Sequence, residues 1–238
     1  VQQRLPSLRD APITFAHRGA RAHAPENTLE AFALGLKLGA SGLETDAWVT
    51  RDGVAVLDHD GEVRRVLGRK PISAVDRADL PDHIPTLAQL FDSCGTDFDL
   101  SIDVKDPKCF ELIVRDSAFA GFDLHRLWLC HPHLDELLAH RDAIGEARLV
   151  DSTRLARIKE GFEMRVARLA RESVHVINMH HTDWNGGLVT MAHKFGVYAF
   201  GWDMQQIPVL ENGLRMGLDA VYSDFVDRMT DVYREQIG

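Results

Sequence analysis

The sequence predicts an α/β protein forming one domain over residues 1–238, on three observations: short apolar runs alternate with helical patterns, eight such runs can be counted, and the length fits. Alternation of this kind marks βα units feeding a parallel sheet, because parallel neighbours need a crossover long enough to hold a helix. At 238 residues, 45% of them hydrophobic, the chain can bury an ample core and sits near the ~250 usual for a (β/α)8 barrel.

The units follow in order. The first strand is 13–16, and the first helix is expected to open at Asn27 with Glu30 as a capping box, present Leu29, Phe32, Ala33 and Leu36, and stop at Gly39. Strand two is 42–49. After it, Asp52-Gly53 between apolar runs signals a hairpin arm. With Asp52 and Gly53 as the two loop residues, Arg51 pairs with Val54 and His59 falls opposite Asp46. Residues 61–85 have mixed polarity and no long period, which reads as a short insertion between the hairpin arm and the next helix.

Thr86 with Gln89 caps the second helix, which carries Leu87, Leu90 and Phe91 and is followed by Gly95. Strand three is 98–104, and Pro107 leads into a helix with Phe110, Ile113 and Val114. Strand four, 127–130, ends at His131-Pro132-His133, where a helix started by Pro132 is a better reading than a metal pair. Strand five, 147–150, precedes one long Arg-rich helix with Leu155, Ile158, Phe162, Val166 and Leu169, whose extra length leaves a homo-oligomer contact open. Strand six, 174–179, runs into the polar, aromatic loop His180-His181-Thr182-Asp183-Trp184. There His181 and Trp184 are either loop packing or ligand contacts, since loops on that rim carry barrel active sites. Strand seven is 197–202. Strand eight, 220–223, ends at Asp224, and a helix with Val226, Met229, Val232 and Tyr233 closes the series.

Composition narrows the function. A formal net charge of -9, with no basic patch interleaved with aromatics, argues against nucleic acid as a partner. Cys94, Cys109 and Cys130 are widely spaced and never C-x-x-C, so reduced, mostly buried thiols are expected. No stretch approaches ~18 consecutive apolar residues, and the first twelve residues lack a leader's apolar run. The expectation is a soluble, cytoplasmic protein without a stable membrane anchor, although Val1 in place of Met leaves a trimmed leader open.

The chemistry concentrates between Phe15 and Asp60. Glu44 and Asp46 lie two apart on a strand, hence on one face. Two carboxylates so placed repel unless a cation sits between them, and hard divalent ions take oxygen ligands. A solvated strand face is the plain alternative. His17-Arg18-Gly19 closes the first strand with a titratable group, a fixed cation for phosphate and a flexible backbone. Asp103 and Lys105 repeat the two-apart spacing on strand three, where a salt-bridged strand end is the competing reading.

His17-Arg18-Gly19, then Pro25-Glu26-Asn27-Thr28, then Glu44-x-Asp46, then Thr50-x-Asp52-Gly53 and His59-Asp60, in this order and spacing, resemble the glycerophosphodiester phosphodiesterase family. The dense match covers about a quarter of the chain and weaker echoes extend it to nearly all. The resemblance implies a (β/α)8 TIM barrel that hydrolyses a small-molecule glycerophosphodiester with a divalent metal ion and two histidines. Glu44, Asp46 and Asp103 would hold the ion, Mg²⁺ first with Ca²⁺ or Mn²⁺ as alternatives, and Arg18 and Lys105 would contact phosphate. Trp202 resembles the family's tryptophan near this strand end and would pack on the glycerol or head group, a core role being an equally good reading.

The family more often has Glu where Asp103 stands. The shorter side chain reaches ~1.5 Å less far, against metal–oxygen bonds of about 2.0–2.6 Å, so it would bind through water or select another ion. The implied reaction is attack of glycerol's 2-hydroxyl on phosphorus, expulsion of the alcohol, and opening of a cyclic phosphate by water. His17 would be first base and His59 first acid, with roles swapping in the second step. Glu26 and Asn27 would orient the His17-Arg18 turn, plain helix capping being the alternative for Asn27. A phospholipase D- or C-type barrel acting on acylated lipids and a non-catalytic phosphodiester-binding module remain the other readings.

Overall fold

A computed structural model describes residues 4–65 and 68–238. Positions 1–3 and 66–67, which hold the start of the terminus read above and part of the insertion, lie outside the described residues. The strands are β1 (Ile13–Ala16), β2 (Gly42–Val49), β3 (Ala55–Leu57), β4 (Glu62–Arg65), β5 (Gly68–Pro71), β6 (Asp99–Val104), β7 (Leu127–His131), β8 (Arg148–Thr153), β9 (Val176–His180), β10 (Tyr198–Trp202) and β11 (Ala220–Ser223). The helices are α1 (Leu29–Lys37), α2 (Leu87–Cys94), α3 (Cys109–Phe119), α4 (Leu134–His140), α5 (Phe162–Arg171), α6 (Gly186–Lys194), α7 (Ile207–Arg215) and α8 (Val226–Gln236).

Eight strands pair in parallel in the order β1-β2-β6-β7-β8-β9-β10-β11, and β11 returns to β1, closing a (β/α)8 TIM barrel. Closure leaves no open edge among the eight. Beyond the end of β1, the far half of β2 pairs instead with antiparallel β3. Inside the ring, Phe15 stacks on Tyr222 with centroids 4.6 Å apart, and Trp128 meets Phe200 at 5.1 Å. With Ile13, Val150 and Val176 these rings fill the interior, so the barrel is packed rather than a pore. The larger apolar layer lies between strands and helices. The thiols of Cys94, Cys109 and Cys130 are free, the last two buried. No helix among the described residues is long and apolar enough to cross a membrane.

Four local expectations need correction. Helix α1 is capped by Thr28, whose side chain accepts from the Ala31 N–H, and not by Asn27. Asn27 takes a left-handed conformation, φ 55°, and turns its amide inward. The β2–β3 loop has three residues, because Thr50 and Val54 pair and Gly53 at φ 81° carries the reversal. One extra loop residue shifts the register by one: Ala47 faces Leu57, and Asp58, not His59, bonds the Asp46 carbonyl. The Arg-rich helix is shorter than expected. β8 runs on to Thr153, Leu155 and Ile158 lie in a 3₁₀ turn and loop, and α5 begins only at Phe162 after Gly161 at φ 89°. The insertion, finally, holds an apolar cluster of Val56, Val63, Ile72, Val75, Leu80 and Ile84 beneath the β4–β5 ribbon and two 3₁₀ turns.

The chain turns sharply after β1 at Gly19, with φ 77°, where an added Cβ would lie 2.5 Å from the Ala31 backbone. Gly19→Ala combines a disfavoured conformation with a backbone clash, and is expected to cost about 2–4 kcal/mol in urea unfolding.

Candidate active site

Polar residues at the carboxyl ends of the strands surround a cavity of about 250 Å³ lined by, among others, His17, Arg18, Glu44, Asp103 and Trp202. The period of two along β2 brings Glu44 and Asp46 to the same face, and register pairs Asp46 with Asp103 on β6. The three carboxylates offer oxygens that all lie within 4.8 Å of one another. Glu44 and Asp46 are 6% and 1% exposed, far too buried to be an ordinary solvated face. The Lys105 ammonium lies 2.9 Å from Asp46 and 3.0 Å from Asp103. Arg18 Nε is 3.2 Å from Asp46, without the alignment of a hydrogen bond. An all-oxygen, acidic donor set of this size fits a hard divalent ion.

The buried charges settle unevenly. Burial, with the like charges of Asp46 and Asp103, pushes the Glu44 carboxyl up to about 7 against the pull of His17. Burial would raise Asp46 too, but Lys105 and Arg18 outweigh it and hold that group below its ordinary range. Asn27 donates to Asp46 at 3.1 Å and accepts from Thr45 at 2.8 Å, which fixes the carboxylate's orientation. Arg18 donates its backbone N–H to Glu44 at 2.9 Å and its guanidinium to Glu26 at 3.1 Å, so the Pro25-Glu26-Asn27-Thr28 segment braces both ends of the cluster.

His17 stands beside these carboxylates, Nε2 3.8 Å from Glu44, while its Nδ1 meets Asp224 at 2.6 Å. A carboxylate on Nδ1 holds the proton there and leaves Nε2 toward the cavity to take another. Burial works against a charged ring, but Glu44 and Asp224 prevail and raise the His17 pKa above its ordinary value. His59 is placed differently: it follows β3, its Nδ1 bonds Asp60 at 2.8 Å, and its side chain is 39% exposed. It does not line the cavity. Trp202 does, with its ring edge-on to His180 at 4.6 Å and its indole N–H without a partner. Trp184, by contrast, is packed in the core and donates to the Phe200 carbonyl.

The family model for the glycerophosphoryl diester phosphodiesterase family matches residues 17–228, nearly the whole barrel. The chain belongs to this family. It is thereby a phosphoric diester hydrolase. Among its relatives, a glycerophosphodiester phosphodiesterase of Caldanaerobacter subterraneus subsp. tengcongensis is 24% identical over 256 residues, covering 94% of this chain and 98% of the relative. The solved glycerophosphodiester phosphodiesterase of Thermotoga maritima superposes with a TM-score of 0.79 at 22% identity, covering 93% of this chain and 98% of that one. An Oleispira antarctica phosphodiesterase, solved in complex with the product sn-glycerol-3-phosphate, has a TM-score of 0.78 at 20% identity, with 94% and 97% covered. At these identities the structural likeness establishes the shared barrel.

For this member of the family, sequence reasoning assembled His17, Arg18, Glu44, Asp46, Asp103, Lys105 and Trp202, and the fold brings all seven to one end of the barrel. It named Asp224 only as the residue at which the last strand ends and gave it no role in the site. The available signal was topological: β11 is β1's neighbour in the closed ring, so the residue after its end stands beside the residue after the end of β1. It also passed over Ser101, Ser152, Asn178 and Tyr222, small or polar residues among apolar ones that line the cavity floor.

Proposed function

We propose that the protein hydrolyses small glycerophosphodiesters to glycerol 3-phosphate and an alcohol, in a reaction dependent on a divalent metal ion held by Glu44, Asp46 and Asp103. The observation that carries this reading is the three-carboxylate cluster, Glu44 and Asp46 buried and Asp103 half-buried, set directly beside a histidine whose other nitrogen is tied to Asp224. The product carried by the Oleispira neighbour supports the substrate class. The ion, Mg²⁺ in the first place and Ca²⁺ or Mn²⁺ otherwise, would supply positive charge for the phosphoryl oxygens as the diester is attacked.

The chain's own residues do the rest. Arg18 and Lys105 exchange part of their pairing with carboxylates for the phosphate's oxygens. His17 Nε2 accepts the proton of glycerol's 2-hydroxyl as that oxygen bonds to phosphorus. The bond from phosphorus to the head-group oxygen breaks, and that oxygen takes its proton from His59, whose exposed ring stands outside the cavity lining and would have to turn toward it. Water then opens the cyclic phosphate with the two roles exchanged. Trp202 offers an apolar face to the glycerol or head group.

The test is incubation with glycerophosphocholine and Mg²⁺, Ca²⁺ or Mn²⁺, measuring glycerol 3-phosphate. Turnover that disappears on chelation and returns with one of these ions is expected. Absence of product with every ion would leave a binding role instead.

A further inference from the structure

A second group of metal-ligating side chains stands on the same rim and plays no part in the reaction just described. His180 ends β9, His181 follows it, and Asp203 follows the end of β10; each offers a donor atom, all within 4.8 Å of one another. The strand order puts this group on β9 and β10, four places round a ring of eight from β2 and β6, which carry the Glu44, Asp46 and Asp103 cluster. The two groups therefore face each other across the barrel mouth, and Glu44, Asp103 and Asp203 line one cavity.

The donors differ in kind. Two imidazoles and one carboxylate suit a borderline first-row ion such as Zn²⁺, where three oxygens alone suit Mg²⁺ or Ca²⁺. Zinc bonds of about 2.0–2.2 Å set tetrahedral donors roughly 3.4 Å apart. The pair His180 Nε2 and Asp203 Oδ2 already stands at 2.9 Å. In the metal-free chain His180 Nδ1 accepts from the Thr182 backbone N–H at 3.2 Å, which puts the ring proton on Nε2 toward Asp203. Metal at Nε2 would move that proton to Nδ1, where the Thr182 hydroxyl 2.7 Å away can accept it. Trp202 backs the site, edge-on to His180, and shields it from one side. Asn178, two residues before His180 on β9 and 4% exposed, lines the cavity below with a side-chain oxygen that no protein group satisfies.

We propose that His180, His181 and Asp203 form a second metal site, selective for Zn²⁺-class ions and completed by water, on the side of the cavity opposite the oxygen-only cluster. Binding there replaces the proton shared between His180 and Asp203. It adds positive charge at the far end of the cavity. The metal site and its ligands do not rest on the reaction proposed above.

Co²⁺ serves as the spectroscopic stand-in for zinc. The full chain, held in excess Mg²⁺ to occupy the oxygen-only cluster, is titrated with Co²⁺ while visible absorption is followed, and with Zn²⁺ by calorimetry. One equivalent of nitrogen-ligated Co²⁺ is expected, displaced by Zn²⁺. The His180→Gln/His181→Gln variant should lose the band and bind at least about 100-fold more weakly, while Glu44→Gln should keep both. Asp203→Asn provides a second variant should the double one fail to fold, since asparagine tolerates the φ of 62° found there; it too should weaken binding at least about tenfold. No Co²⁺ absorption in the parent chain, or a band undiminished in a folded variant, overturns the proposal. Because the readout is binding, it stands or falls separately from turnover of glycerophosphocholine.

Discussion

Replacing His17 by alanine is expected to lower kcat on glycerophosphocholine by about 10²–10⁴-fold, the range removed with a positioned acid–base group, while KM changes little. The imidazole has one nitrogen committed to Asp224 and the other beside Glu44, so its loss removes proton transfer and leaves the cation-rich phosphate contacts intact. Asp224→Asn should act through the same ring. Without the carboxylate the raised pKa of His17 falls, since Asp224 is one of the groups that hold it up. The base must be neutral to accept a proton, so activity rises as pH passes above its pKa. The acid limb of kcat/KM is therefore expected to move to lower pH in Asp224→Asn than in the parent enzyme. His59→Ala gives the contrast: a general acid matters only while the leaving group needs a proton, so its defect should shrink on a diester that releases a nitrophenol. A His17→Ala loss below tenfold, or an acid limb unmoved by Asp224→Asn, would remove the assignment.

The parts of this site that were legible in the sequence are those set by local periodicity. Glu44 and Asp46 share a face because a strand alternates, and that strand was readable from its apolar content and bounding turns. Asp103 and Lys105 followed in the same way, and the eight parallel strands followed from alternation with helices. What the sequence withheld depends on parity or on closure. Asp-Gly suits a two-residue loop or the end of a three-residue one, and that single residue decides whether Asp58 or His59 stands opposite Asp46. Asn27 and Thr28 are both good caps; the choice fell to Thr28 because the Asn27 amide has buried partners in Thr45 and Asp46, which only the folded barrel brings near. Asp224 meets His17 across 207 positions of sequence, and only the pairing of the last strand with the first makes them neighbours. The insertion's apolar cluster rests on 3₁₀ turns and short strands, elements too brief to repeat a period.

Glu44→Gln should weaken divalent-ion binding by more than the roughly 10–100-fold that follows loss of an outer-shell partner, with activity falling in parallel. The reason is charge as much as geometry: glutamine keeps one oxygen but removes the negative charge that offsets the ion. The same residue sets the pH dependence. With its carboxyl held at about 7 in the metal-free protein, a cation arriving below that pH must expel a proton. Affinity is then expected to fall about tenfold per pH unit below pH ~7 and to level off above it. In Glu44→Gln this slope should flatten. Stability follows the same sign. An unfolded glutamate ionises near 4.5, so between that value and about 7 the unfolded chain gains by releasing a proton that burial keeps on Glu44 in the metal-free fold. Burial of this group therefore destabilises the metal-free protein as pH rises through that window, and a bound ion reverses the effect. Thermal melts with and without Ca²⁺ or Mg²⁺ should show a small gain in Tm at pH 5.5 and a large one at pH 8. Equal gains at both would mean that Glu44 does not bind the ion.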